Sequence, residues 1–519
     1  MIFRALGLLA VAALTSCAHL GAVHRDWREG LDGDVRLRQY LIAGQPDSAL
    51  RLLAPRKRDT RDGLLLELQR AVVLHEARQY AASNQALERA DTEIDRRFTR
   101  SVGRAAGSMV VNDGLLAYLP PAPERAMIPY YRMLNYWALG QTDGALVEAR
   151  KAGALLAGND VAKTGGCWGA GLLSYVSGQV FAAGGERNHA LVSLRQADRA
   201  YDGCTGSGGM AAPPQLGRDL FQAARALGLR DVADAAAKRY SIADAPDTTQ
   251  TGDLVVLVEH GFVAHRTHQD IHVPILGDEL KAMESEEGDS VAAAIGRAST
   301  RLLGNLLQQA EWGHAYDESP GRQWADALEG AYIFKLAWPA YRLDARRATA
   351  VRVIVNDQVV AAPPAEDLSA GVVKAWESQR PAVLARAVAR GLAKFQLARQ
   401  AERKAEKQGG ETAGWIVGRL ANVAGNLSER ADTRGWTLLP DQISVARLTL
   451  PPGSHQVRLE TLTATGEVIG NVDLGTVNVR TGGRTLLSRR VWPRVATSRC
   501  AASAAPPSRS APEGSSECQ

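Results

Sequence analysis

Apolar residues recur at three- and four-residue intervals from about residue 33 to 243, with Ala, Leu, Arg and Glu abundant between them. That spacing predicts amphipathic helices. The pattern comes in pairs: LLLELQRAVVLHEARQYAASNQALERADTEI (Leu64 to Ile94), YYRMLNYWALGQTDGALVEARKAGALL (Tyr130 to Leu156), LLSYVSGQVFAAGGERNHALVSLRQADRAY (Leu172 to Tyr201), and a weaker copy from Leu216 to Tyr240. Each predicts a helix–turn–helix unit. Gly140 and Gly184-Gly185 fall at the turns, where a left-handed residue costs little. After the break at Asp244–Gly252 the period shortens to two. Leu254–Val258 and Phe262–Val273 predict a β-hairpin turning at His260-Gly261. Helical spacing returns in Glu279–Glu287 and Val291–Ala310, and Leu336–Tyr341 ends a segment at a Trp-Pro pair. A hairpin follows around Asn356-Asp357, then a long helix from Leu368 to about Ala405 and a short amphipathic one at Thr412–Asn426. The last pattern is of short alternating strands cut by Gly and Pro: Ser444–Leu450, Gln456–Thr463, Val468–Val479 and Arg484–Arg490. They predict a small β-domain of sandwich type, or a sheet that completes the middle region.

The helix pairs resemble tetratricopeptide repeats. Ala71, Ala138 and Gly178 would let the first helix of a pair approach the second. Ala86, Ala145 and Ala190, with Ala90, Ala149 and Ala197, mark the second helix's small-residue face. One such pair cannot bury its apolar side alone, so neighbours must stack. The expected fold is α+β: a tetratricopeptide-like helical solenoid over 17–245, a mixed α/β region over 246–430, a small β-domain over 431–495, and a Ser/Ala/Pro-rich tail over 496–519 that reads as disordered.

Residues 1–16 change the picture. Arg4 precedes an apolar run, Ala5 to Leu14, that is too short to span a bilayer. It has the size of a secretory h-region and ends in Leu14-Thr15-Ser16-Cys17. This resembles a bacterial lipobox, which implies cleavage before Cys17 and acylation of its thiol. Ala18 follows where an aspartate would hold such a protein in the inner membrane, so the expected address is the outer membrane, facing the periplasm. No other apolar run reaches 18 residues. Net charge is +5, from 61 basic against 56 acidic residues, and no dense basic patch with interleaved aromatics occurs. Nucleic acid is therefore not an expected partner. The remaining cysteines suit an oxidising compartment. Cys167 and Cys204 flank the third helix pair, whose antiparallel ends meet, and Cys500 and Cys518 could close a loop in the tail.

With these elements in view, the chain is similar to a family of poorly characterised bacterial lipoproteins with tetratricopeptide repeats. The likeness is carried by Asn135-Tyr136-Trp137-Ala138-Leu139-Gly140, Arg195–Tyr201, Gly252–Gly261, and Ala431-Asp-Thr-Arg-Gly-Trp436 with Leu439-Pro440. It spans about residues 30 to 493. It implies a location and an architecture but no reaction. Phe262-Val-Ala-His265 stands where the family has a polar residue and a proline.

Chemistry has one local candidate. Four of the ten histidines lie between His260 and His272. In an extended strand His268, Asp270 and His272 share one face, while His265 points to the other. Their ends would be about 13 Å apart, from four rises of about 3.3 Å. Zinc ligands sit at about 2.0–2.2 Å, so one ion could take two of the three side chains, and the bland alternative is a solvated strand face. No HExxH, GxSxG or P-loop occurs, and no cofactor is expected. Asp432-Thr-Arg434 predicts a local salt bridge, and Trp436 a core aromatic. The leading functional expectation is an outer-membrane-anchored scaffold or adaptor whose repeat array holds an envelope protein or peptide. The alternatives are a metal-dependent envelope hydrolase and a non-catalytic component of polysaccharide secretion.

Overall fold

The computed structural model describes residues 34–54, 62–101, 117–158, 169–204, 209–242, 250–275, 332–344, 350–410, 412–414, 417 and 430–492. The fold is α+β, as expected. Its helical part comprises α1 (34–42), α2 (Pro46–Leu53), α3 (Gly63–Glu76), α4 (Tyr80–Ser101), α5 (Ala122–Ala138), α6 (Thr142–Ala157), α7 (Ala170–Ala183), α8 (Arg187–Cys204), α9 (Gln215–Ala226) and α10 (Arg230–Arg239). The four expected pairs are α3–α4, α5–α6, α7–α8 and α9–α10. Gly140 and Gly185 take the left-handed conformation at their turns, with φ of 70° and 81°. Gly178 is needed for close approach, since a Cβ there would come within 2.8 Å of Leu194. Ala138 does not play that role: it is exposed, and the tight contact in its pair is Gly144 against the Tyr136 ring. Ala86, Ala90, Ala145, Ala149, Ala190 and Ala197 are all buried.

The β part comprises β1 (Gly252–His260), β2 (His265–Ile275), β3 (Tyr332–Arg342), β4 (Ala350–Val355), β5 (Gln358–Ala361), β6 (Pro364–Asp367), β7 (Gln442–Leu450), β8 (Gly453–Leu462), β9 (Val468–Val479) and β10 (Arg484–Val491). A long helix, α11 (Leu368–Gly409), lies between β6 and β7. One sheet has the order β10-β1-β7-β6 and a second the order β5-β4-β8-β9, while β2 and β3 form a separate ribbon. β1 runs parallel to β10 and antiparallel to β7.

Two expectations are corrected here. β1 and β2 do not form a hairpin: β1 is a central strand between β7 and β10, and β2 pairs with β3. The physical reason is visible in β1 itself, which is buried along its whole length. A strand apolar on both faces belongs in the middle of a covered sheet. The Trp338-Pro339 pair does not end a segment either. Pro339 lies within β3, opposite His268, in a two-stranded ribbon where a missing donor is tolerated. Strands before and after residue 430 share both four-stranded sheets, so residues 431–495 complete sheets begun in the middle region. The helices expected at 279–287 and 291–310 lie outside the described residues.

Side-chain parity orders the layers. On β1, Leu254, Val256 and Val258 join Val351, Val353, Val355, Val457 and Leu459 in a core between the two sheets. The alternate residues Val255 and Leu257, with Ile443, Val445 and Leu486, join the helix core instead. The molecule is thus helices on sheet on sheet. The inner helices α3, α5 and α7 are buried along nearly their whole length, because α4, α6 and α8 cover one side and the first sheet the other.

Candidate functional site

The same parity places polar residues against the helices. Asp253 and Glu259 share the helix-facing side of β1 with Val255 and Leu257, and Arg447 shares that of β7 with Ile443 and Val445. In the parallel pairing Arg484 stands beside Asp253 and Arg490 beside Glu259. These side chains make a polar seam between helix layer and sheet.

At one end, Arg447 donates to Asp253 at 2.7 Å and to Asp219 of α9 at 2.5 Å. Arg484 reaches both carboxylates at 3.2 Å. Tyr175 and Gln179 of α7 each donate to Asp219 at 2.9 Å, and Gln179 accepts from Arg484. Two guanidiniums balance two carboxylates, with Asp219 0 % and Arg447 3 % exposed. Burial pushes the Asp253 carboxyl up, but Arg447 and Arg484 outweigh it and hold it below its ordinary value.

At the other end, Tyr130 and Tyr131 donate to Glu259 at 3.1 and 3.0 Å. Arg490 donates to the carbonyls of Leu438 and Gly261 and lies 3.8 Å from Glu76. Burial raises the Glu76 carboxyl above its usual range, with Arg490 opposing. Arg38 and Arg490 each stand 4.9 Å from the Phe262 ring centroid, and the Trp492 ring lies tilted against it at 5.0 Å. Phe262 is therefore the centre of a cation–π cluster.

The segment 431–440 wedges into this seam. Asp432 and Arg434 form the expected salt bridge, with two contacts of 2.7 Å, and Arg434 also donates to Asp62 at 2.9 Å. Trp436 is buried, as expected, and its backbone N–H donates to Glu124. Glu124 also accepts from Tyr118, and its carboxyl is raised by burial. Elsewhere Glu366 on β6 is buried with the Gly169 N–H as its donor. Burial, reinforced by neighbouring Asp367, pushes it up to about 8.

The four histidines separate. His260 ends β1, buried, and shares a 2.9 Å hydrogen bond with Ser444; it is not a turn residue. His265 lies 3.4 Å from Arg38, and burial together with that guanidinium lowers its pKa. His268 accepts from the Ala431 N–H at 3.2 Å, so its face meets the segment entering β7. The side chains of Asp270 and His272 lie outside the described part. Among the described residues no three His, Cys, Asp or Glu converge as metal ligands. Cys204 is disulfide-bonded, whereas Cys17, Cys167, Cys500 and Cys518 lie outside the described residues. No described helix is long and apolar enough to cross a membrane.

The sequence reading missed the seam. Its trace was there as Arg447, the charged residue of β7, and as acids bracketing the β1 core, but nothing local pairs them. Compared with known proteins, the chain matches no family model and no curated protein.

Proposed function

We propose that this chain is a lipoprotein of the outer membrane, anchored through acylated Cys17 and facing the periplasm, that serves as a protein-binding scaffold or adaptor in envelope or surface-structure assembly. Its helix pairs are read as tetratricopeptide-like. The observation that carries the reading is the seam. The interior carboxylates and guanidiniums hold helices to sheet, and Asp219, Arg447, Asp253 and Arg484 pair with one another there. Charges committed in this way support a structural rather than a chemical role for the interior.

The seam also alters where a partner would bind. The inner helices are covered by the chain's own sheet, which leaves the outer helices of the array. There Val147 of α6 and Val192 of α8 occupy matching positions, two residues after Ala145 and Ala190, and both are exposed. Photo-crosslinking residues placed at 147 and 192 in cells are expected to give one discrete protein adduct, saturable and lost on Arg substitution of the other valine. Adducts no more frequent than from Val359, on the far sheet, would remove the basis for an adaptor.

A further inference from the structure

Several strands of the fold converge at one pole. α1 begins at Asp34, whose carboxylate accepts from Thr437 at 3.0 Å. Arg38, one turn later, donates to the Thr437 and Val263 carbonyls at 3.0 and 3.3 Å and to Asp344 at 3.2 Å. His265 and Arg342, the first register pair of the ribbon, lie at the same place, since His265 touches Arg38. Trp492, after the last strand, lies against the Phe262 that Arg38 covers. Around these contacts the surface carries exposed apolar side chains. Val35 and Leu343 are both 54 % exposed, and each has an exposed arginine beside it, Arg36 and Arg342. The carboxylates of Asp34 and Asp344 are already engaged by Thr437 and Arg38.

We propose that this pole, with Val35 and Leu343 as apolar contacts and Arg36 and Arg342 as cationic ones, rests on the anionic surface of the lipid bilayer. The inference depends on the reading of Cys17 as the acylated residue. Sixteen residues separate Cys17 from Asp34, a reach of at most about 60 Å. The tether joins the folded body at this pole and holds it near the membrane at high local concentration. Aliphatic side chains flanked by arginines suit the headgroup boundary, where apolar atoms enter and guanidiniums meet phosphates. The second sheet at the other side of the molecule, carrying Arg352–Glu460 as an internal pair, would then face away from the bilayer.

The test uses the full-length acylated protein in vesicles of phosphatidylethanolamine and phosphatidylglycerol, with an encoded fluorescent amino acid at one position at a time. Nitroxide-labelled lipids are expected to quench probes at 35 and 343 at least about twofold more than probes at 192 and 359. Val35→Glu is expected to reduce quenching at 343, and Leu343→Glu that at 35. Equal quenching at all four positions overturns the proposal, as does protection of 35 and 343 only when envelope protein is added, which would mark a protein contact. Mass analysis of the N-terminal peptide separates the two readings. An unacylated Cys17 overturns both, whereas an acylated Cys17 with unquenched probes overturns the membrane contact alone.

Discussion

Arg447 shows how a single residue is forced by its neighbours. It shares the helix-facing side of its strand with Ile443, Val445 and Thr449, and its cost of burial is offset by two carboxylates from different parts of the chain. Removing one partner of such a cluster leaves the others buried and uncompensated, which costs about 3–5 kcal/mol. Arg447→Met is therefore expected to lower the unfolding free energy by that amount, read as a lower urea midpoint at an unchanged slope. A loss below about 1 kcal/mol would show that the quartet is not dehydrated. Glu366 works in the opposite direction. Its raised carboxyl favours the folded state while protonated, so its contribution is complete below the ordinary glutamate value near 4.5 and is lost as pH climbs through about 8. Asp253, held low, contributes above its ordinary value and loses that contribution as the pH falls through its depressed one. Thermal melts from pH 5 to 9 should show stability falling with pH in the native chain and a flatter profile in Glu366→Gln. Parallel profiles would mean that Glu366 has a cation not accounted for.

At the scale of elements, the helix pairs were legible because their signal is local. The three-four period, the turn glycines and the small residues all lie within about 30 residues of one another. The hairpin around Asn356-Asp357 was legible for the same reason, with Asn356 at φ 54°. β1 was misread because an apolar strand next to a His-Gly pair satisfies a hairpin pattern as well as a central-strand pattern, and only its burial on both faces separates them. The α7–α8 pair carries a further prediction. Gly171, near the start of α7, lies so close to Tyr201 that a Cβ would be 2.8 Å from its ring, which puts the start of α7 beside the end of α8. Cys204 ends α8 in a disulfide, so its partner is expected to be Cys167, two residues before the Gly169 cap. Peptide mapping without reduction should recover that link, and a Cys204 peptide joined to Cys500 or Cys518 would refute it. Reduction is expected to cost about 2–4 kcal/mol.

For the whole molecule, the consequence is that the array and the sheets are not separable. Leu172, Tyr175 and Leu216 share one core with Val255, Val445 and Leu486, so these helices depend for their burial on distant strands, two of them more than 200 residues away. The sequence by itself determined the α+β class, the pairing of helices, most strand positions, the Asp432–Arg434 bridge and the buried Trp436. It could do so because period, turn chemistry and adjacent charges act over a few residues. Only the tertiary structure decided that β1 is central, that β10 joins it in parallel, and that Asp219, Asp253, Arg447 and Arg484 meet. It likewise scattered the histidines, sending His260 to Ser444, His265 to Arg38 and His268 to the Ala431 amide. Those outcomes depend on which distant strand covers which face. Local sequence carries the alternation that makes a face, but not the identity of the layer that buries it.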